Sequence, residues 1–238
     1  METVITADYD ELSRLSAKKV AEYIKPDTLI CFAAGDTPLG MFKELVAMQS
    51  RKEIDLSAAW YAGLDEWVGL GPQDEGSCIK VMTEAFYGPA RIPKERIRVF
   101  DGLDPDMDRQ CREMECWISS RGGIGFTLLG IGMNGHIGFN EPGTPETPGC
   151  FTVALDDTTK SVSQKYFGKV LPVTTGITIG WQSLYEARTV VLMASGAGKA
   201  PIVRESLKGP SSVDVPASLF QKHDDVTFML DKAAAALL

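Results

Sequence analysis

The chain has 238 residues, of which 44% are hydrophobic and 24% charged, with a formal net charge of −8. This length holds one large or two small domains and buries a sizeable core. The acidic balance excludes a general affinity for nucleic acid or anionic membrane, since both need clustered Lys and Arg, so any phosphate must be caught by a few aimed groups.

In chain order the pattern alternates. A short strand is expected at about 3–6. Residues 9–23 then carry Leu12, Leu15, Ala17, Val20 and Ala21 at near-helical spacing until Pro26 ends the run. Residues 28–34 are a short apolar run, 38–48 read as helix, and 59–64 are apolar again. Two later apolar runs, 125–129 and 189–194, end in glycine-containing turns. Short apolar runs between amphipathic helices specify an α/β fold with a mainly parallel sheet. In such sheets the ligand crevice lies outside the carboxyl ends of the strands. The Gly- and Pro-rich stretch 138–149 reads as a long active-site loop within one domain spanning 1–238, and about 144–169 as a candidate lid.

Cys31, Cys78, Cys111, Cys116 and Cys150 are odd in number and form no Cys-x-x-Cys pair, so neither a disulfide framework nor a zinc ribbon is expected. The opening residues carry no signal-peptide pattern, and no apolar run approaches the length that spans a bilayer. A cytoplasmic protein is expected, with no membrane or nucleic-acid partner.

Four turns carry the chemistry. In Ala33-Ala34-Gly35-Asp36-Thr37-Pro38-Leu39-Gly40, Thr37 suits an N-cap and Pro38 the first helical position, an arrangement that aims backbone N–H groups at an anion. In Ser195-Gly196-Ala197-Gly198-Lys199-Ala200, small residues flank a cation. It is not a Walker A loop, because Met193 and Ala200 occupy positions that require Gly and Ser or Thr, so nucleoside triphosphate binding is unsupported. Gly130-Ile131-Gly132-Met133-Asn134-Gly135 matches the dinucleotide fingerprint, but Pro142, Pro145 and Pro148 follow where a helix is required, which rejects a Rossmann cofactor site. The glycines instead serve to present His136, one of two histidines, and Glu141. Finally, Leu64-Asp65-Glu66-Trp67 puts two carboxylates at a strand end, where alternation sends only one into the crevice. His223, in Gln221-Lys222-His223-Asp224-Asp225, reads as a polar surface turn without a role.

These turns, with Ile177-Thr178-Ile179-Gly180, occur in the order and spacing of the glucosamine-6-phosphate deaminase (isomerase) family, which the chain resembles over nearly its whole length. The most diagnostic segment is Gly135-His136-Ile137-Gly138-Phe139-Asn140-Glu141-Pro142; the related 6-phosphogluconolactonases generally lack the Phe-Asn-Glu-Pro continuation. The resemblance implies a Rossmann-like α/β fold with helices on both faces of the sheet, of the ribose-5-phosphate isomerase type, without nucleotide, metal or organic cofactor. It implies conversion of a 2-amino-2-deoxy-aldose 6-phosphate, glucosamine or galactosamine 6-phosphate, into a ketose 6-phosphate and ammonia. A lactonase-like hydrolase and a non-catalytic phosphosugar sensor are the alternatives.

By the same resemblance Asp65 is the general base that moves a proton from C2 to C1, His136 is the ring-opening acid/base, and Glu141 polarises the imidazole. Histidine suits this role because its ordinary pKa, about 6.5, lies near neutrality. Glu66 is expected behind Asp65. Gly35, Asp36, Thr37, Lys165 and Lys199 are expected around the phosphate. The chain departs from the family's pattern at two of these positions and at Asn134. Lys165 stands where better-known members have arginine, and loses the planar fork that grips two phosphate oxygens. Asp36 stands where many have glycine, and would repel phosphate unless its side chain turned away. Asn134 replaces an aspartate of an Asp-His-Glu relay and cannot stabilise imidazolium by charge. A homo-oligomer is compatible with this reading, and the oligomeric state is open.

Overall fold

Alternation along each strand decides which side of the sheet an apolar residue serves. The structure, a computed structural model, describes residues 1–145, 149–167 and 171–238. Its strands are β1 (Glu2–Thr6), β2 (Leu29–Phe32), β3 (Trp60–Gly63), β4 (Asp65–Trp67), β5 (Ile97–Arg98), β6 (Phe126–Gly130), β7 (Phe151–Ala154), β8 (Thr175–Thr178), β9 (Val190–Ala194) and β10 (Val226–Asp231). Its α-helices are α1 (Tyr9–Ala21), α2 (Leu39–Ser50), α3 (Cys78–Met82), α4 (Met107–Ser119), α5 (Asp157–Ser163), α6 (Trp181–Tyr185) and α7 (Ala200–Lys208).

The main sheet runs β1-β10-β9-β6-β2-β3-β5, and every described pairing in it is parallel. Its central strands are apolar on both faces, as a parallel sheet covered on both sides requires. Leu29, Cys31, Leu129, Val190 and Leu192 pack with Met114 and Ile118 of α4 and Val203 of α7. The alternate residues Ile30, Phe32, Phe126, Leu128 and Val191 pack with Leu12 and Val20 of α1 and Phe42 and Leu45 of α2. Helix α1 starts where Asp8 accepts the Glu11 amide at 2.8 Å, and carries Lys18 and Lys19 in its last turn, which suits the helix dipole.

Two features place the site. From β2 the sheet grows through β3 and β5 on one side and through β6, β9 and β10 on the other, so the carboxyl ends of β2 and β6 flank the point where direction reverses. After Leu64 the chain leaves this sheet, and β4 joins a small antiparallel sheet, β4-β8-β7, with Asp65 opposite Thr178. The sequence pattern did not reveal that second sheet. Its core is aromatic: Trp67 lies 4.5 Å from Phe139 and 5.5 Å from Phe167 between ring centroids. No described helix is long and apolar enough to cross a membrane.

Candidate active site

The loops after β2, β3 and β6 and the turn before α7 converge on a cavity of about 450 Å³, of a size that takes a small metabolite. Gly35, Asp36, Thr37, Asp65, His136, Lys165 and Lys199 line it. Asn134, Glu141 and Glu66 are not among its lining residues.

At one end, Gly35 has φ of +110°, a conformation that glycine adopts without strain and that turns the chain sharply after β2. Thr37 is not the N-cap of the next helix. Pro38 holds that position without a side-chain cap, and α2 begins at Leu39. The Tyr9 hydroxyl of α1 takes over the capping: it accepts from the Gly40 amide at 2.9 Å and donates to the Thr37 carbonyl at 3.0 Å. Lys199 donates to the Ile131 carbonyl at 2.5 Å. Burial, then the positive charge of Lys165, lowers its pKa to about 8, with Asp36 opposing. Asp36 does not turn away from the site. Its Oδ2 lies 2.6 Å from Lys165 Nζ, so this carboxylate is already paired with a lysine that lines the same cavity.

The carboxylates of β4 separate as strand alternation dictates. Asp65 lines the cavity, while Glu66 is buried behind it. Glu66 accepts from the Ser77 hydroxyl and from the amides of Trp67, Cys78 and Ile79, each at 2.8–2.9 Å, which fixes the start of α3 against β4. This brings the Cys78 thiol to Asp65. Burial pushes the Asp65 pKa up to about 7; the Cys78 hydrogen bond lowers it and the neighbouring Glu66 charge raises it.

His136 sits on the third turn. A Cβ on Gly132 would lie 2.4 Å from the ring, so this glycine of the fingerprint-like motif makes room for the imidazole rather than for a dinucleotide. Behind the ring, Glu141 Oε2 lies 3.4 Å from His136 Nδ1. Burial alone would raise the Glu141 pKa, but the neighbouring His136, aided by Thr159 and Asn134, holds it below the usual carboxylate range. Asn134 does not touch the ring. Its Oδ1 accepts the His136 amide at 3.2 Å, and its Nδ2 donates to Glu141 Oε2 at 3.1 Å and to Asp156 Oδ1 at 3.2 Å. Phe139 and Asn140 anchor the loop: Phe139 packs on Trp67, and Asn140 Nδ2 donates to the carbonyls of Ile137 at 2.9 Å and Ile179 at 3.0 Å.

The segment expected as a lid, about 144–169, includes residues 146–148 and 168–169, which lie outside the described residues. Its described part forms one cavity wall with Thr158, Thr159, Val162, Ser163, Lys165 and Tyr166. Thr159 is a site residue that sequence reasoning missed: its Oγ1 lies 3.0 Å from His136 Nδ1. Asp156-Asp157-Thr158 signals a capped helix start, and Asp156 does accept the Thr158 amide at 2.8 Å, but nothing local places that helix against the histidine. Cys78 and Tyr9 were missed for the same reason. His223 requires a correction. It is buried, with Nε2 2.9 Å from the Ala187 carbonyl and Nδ1 accepting from the Asp225 amide at 3.1 Å, so it holds two loops together. Among the described residues, no group of three His, Cys, Asp or Glu side chains is arranged to hold a metal ion.

Residues 7–229 match the family of glucosamine-6-phosphate isomerases and 6-phosphogluconolactonases. The chain is 39% identical to a glucosamine-6-phosphate deaminase of Thermoanaerobacter sp. (strain X514), over all of this chain and 95% of that one. It is 35% identical to one of Clostridium perfringens (strain ATCC 13124) over the full length of both. Among solved structures it superposes on a monomeric glucosamine-6-phosphate deaminase with a TM-score of 0.96 at 34% identity, covering all of both chains. A 6-phosphogluconolactonase of Trypanosoma brucei, 22% identical with a TM-score of 0.81 over 100% of this chain and 98% of that one, shares the fold. This chain belongs to the glucosamine-6-phosphate isomerase/6-phosphogluconolactonase family.

Proposed function

We propose that the protein converts an amino-sugar phosphate, glucosamine 6-phosphate first, into fructose 6-phosphate and ammonia. The observation that carries this reading is the placing of a carboxylate with a pKa of about 7, Asp65, in the same cavity as an imidazole backed by an ionised carboxylate, with two lysines at one end. A base titrating near neutrality takes a proton and gives it back at little cost in either direction.

The chemistry follows as proton movements. His136 takes the proton of the anomeric hydroxyl and returns one to the ring oxygen, and Glu141 steadies the imidazolium formed between. The open aldehyde acidifies the C2 hydrogen. Asp65 removes that proton; the C–H electrons form the C1–C2 double bond as the C1–O π pair moves onto O1, which takes a proton from the C2 ammonium, and the proton on Asp65 then returns to C1 as the nitrogen lone pair forms the C2=N bond, leaving an imine at C2. Water adds there and ammonia leaves. Lys199, Lys165 and the 35–37 turn hold the phosphate, so binding energy from a remote group orients C1 and C2 over Asp65. The chain works as one unit, with the 157–166 wall closing over the sugar, and its five unpaired cysteines suit a reducing cytoplasm.

The test is ammonia release from glucosamine 6-phosphate and galactosamine 6-phosphate, beside hydrolysis of 6-phosphogluconolactone. Activity on the lactone alone overturns the assignment, and the ratio of the two amino sugars sets the preferred substrate. Asp65→Asn separates enzyme from sensor: it should keep binding and lose turnover, by about 10²-fold or more.

A further inference from the structure

We infer that Thr159 is a positioning residue that couples His136 to Glu141 and leaves Nε2 as the free base of the imidazole; its catalytic consequence rests on the reading above.

Three groups meet behind the ring. Thr159, on α5 and 4% exposed, has Oγ1 3.0 Å from His136 Nδ1. Glu141 Oε2 stands farther from the same nitrogen, at 3.4 Å, beyond the range of about 2.7–2.9 Å usual for a charged N–H···O bond. The same hydroxyl helps to hold the Glu141 carboxyl below the usual carboxylate range, so its proton has that carboxylate within its influence. An ionised carboxylate only accepts, and a hydroxyl has one proton to give. If that proton goes to Glu141, Oγ1 must accept from the ring, so Nδ1 carries a hydrogen. The order is then Nδ1–H to Oγ1, and Oγ1–H to the carboxylate, a chain in which each bond strengthens the next. In the reverse arrangement, Thr159 donates to Nδ1 and Glu141 receives nothing from either neighbour. The forward chain leaves Nε2, at the ring edge beside Gly132, with a lone pair.

The hydroxyl is delivered by α5, which is pinned to the histidine loop. Asp156, the N-cap of α5, accepts from Asn134 Nδ2 at 3.2 Å and gives its own amide to Glu141 Oε1 at 3.3 Å. Asn134 thus acts on the imidazole by placing Thr159. In ring opening, Nε2 receives the proton of the anomeric hydroxyl while the ring C–O bond breaks, and the ring oxygen then takes a proton from Nε2. Nδ1–H stays on its chain to Glu141 throughout.

Only two histidines are present, so nitrogen NMR of protein carrying ¹⁵N-histidine, recorded without substrate at a pH where the rings are neutral, reads the tautomers directly. His223 is the internal reference: its Nδ1 accepts from Asp225 and its Nε2–H donates to Ala187. The expected wild-type spectrum has His136 protonated on Nδ1 and His223 on Nε2. Thr159→Val should move His136 toward the Nε2–H form and lower kcat by about tenfold or more with KM within about threefold; Thr159→Ser should restore both. An Nε2–H ring in the wild type overturns the inference whatever the variants do, as does a Thr159→Val protein with unchanged tautomer and kcat. Because no substrate enters the spectrum, failure of the wild type to release ammonia counts against the deaminase reading alone.

Discussion

Lys165 Nζ stands 2.6 Å from Asp36 Oδ2 and ties two segments 129 residues apart at the end of the cavity proposed for phosphate. Both side chains are about half exposed, so the pair contributes little to folding, ~0–1 kcal/mol. Its effect falls on the ligand: an incoming phosphate competes with Asp36 for Lys165 and meets the carboxylate's repulsion as well. Asp36→Asn should therefore tighten inhibition by inorganic phosphate at pH 7 by about threefold to tenfold and lower KM for a phosphosugar, with kcat little changed, whereas Lys165→Ala should weaken both. The gain should shrink as salt rises. Unchanged or weaker phosphate inhibition in Asp36→Asn would show that Asp36 is indifferent to the anion.

In its proposed role as base, Asp65 should govern the acid side of the pH profile. It must be ionised to accept a proton, so kcat/KM should fall below about pH 7. The same burial has a stability consequence of determinate sign. Between the unfolded carboxylate pKa, about 3.9, and about 7, the native state holds a proton that the unfolded chain has released, so wild-type stability falls as pH rises through that window. Asp65→Asn lacks this cost. Its melting temperature should exceed that of the wild type at pH 8 and approach it at pH 4, while ammonia release is lost. A constant difference between the two proteins from pH 4 to 8 would contradict the raised pKa.

How much of this was visible in the chain depends on the range of the contacts. The strand ends at Phe32, Gly63, Gly130 and Ala194 were legible, because short apolar runs before Gly-rich turns mark them locally. So was the non-helical backbone after Gly135, where Pro142 stands. The pairing of Asp36 with Lys165, the Thr159 contact with His136 and the burial of His223 were not, because each joins residues that only tertiary packing brings together. The small sheet was missed for a related reason: β4 has three residues, too few for a period to show.

Gly132 offers a steric test of the histidine's seat. A Cβ there would come within 2.4 Å of the ring's Cδ2 and Nε2. The ring must move, since packed interiors yield at a cost of about 1–3 kcal/mol for an added methyl. Gly132→Ala should remain folded, with a modestly lower melting temperature, and lose kcat by about tenfold or more, because acid–base catalysis depends on placement within hydrogen-bond reach. Equal kcat in the two proteins would remove His136 from the reaction as drawn.

Asn134 and Asp156 can be tested as a pair. Asn134→Asp places a third carboxylate against Glu141 and Asp156, whose oxygens lie 3.1 and 3.2 Å from Nδ2. The single variant should be destabilised by about 1–2 kcal/mol and lose activity. Adding Asp156→Asn supplies an amide donor opposite the new carboxylate and should recover most of the loss, a coupling that a double-mutant cycle in urea measures. Simple additivity would mean that the two side chains act independently.

In its proposed role at the phosphate, Lys199 should set the alkaline side. Its ammonium must stay charged to meet phosphate, and burial together with Lys165 lowers its pKa to about 8, so kcat/KM should decline above that pH. With Asp65 near 7, the free protein should show a narrow optimum between the two values. A bound phosphate favours the charged amine, so the limb in kcat, which reports the complex, should lie at higher pH than the limb in kcat/KM. Lys199→Arg holds its charge to above pH 12 and should flatten the alkaline limb, even if its bulkier head raises KM. If kcat/KM of Lys199→Arg declines above pH 8 as the wild type does, the limb belongs to another group and Lys199 is not the titrating phosphate ligand.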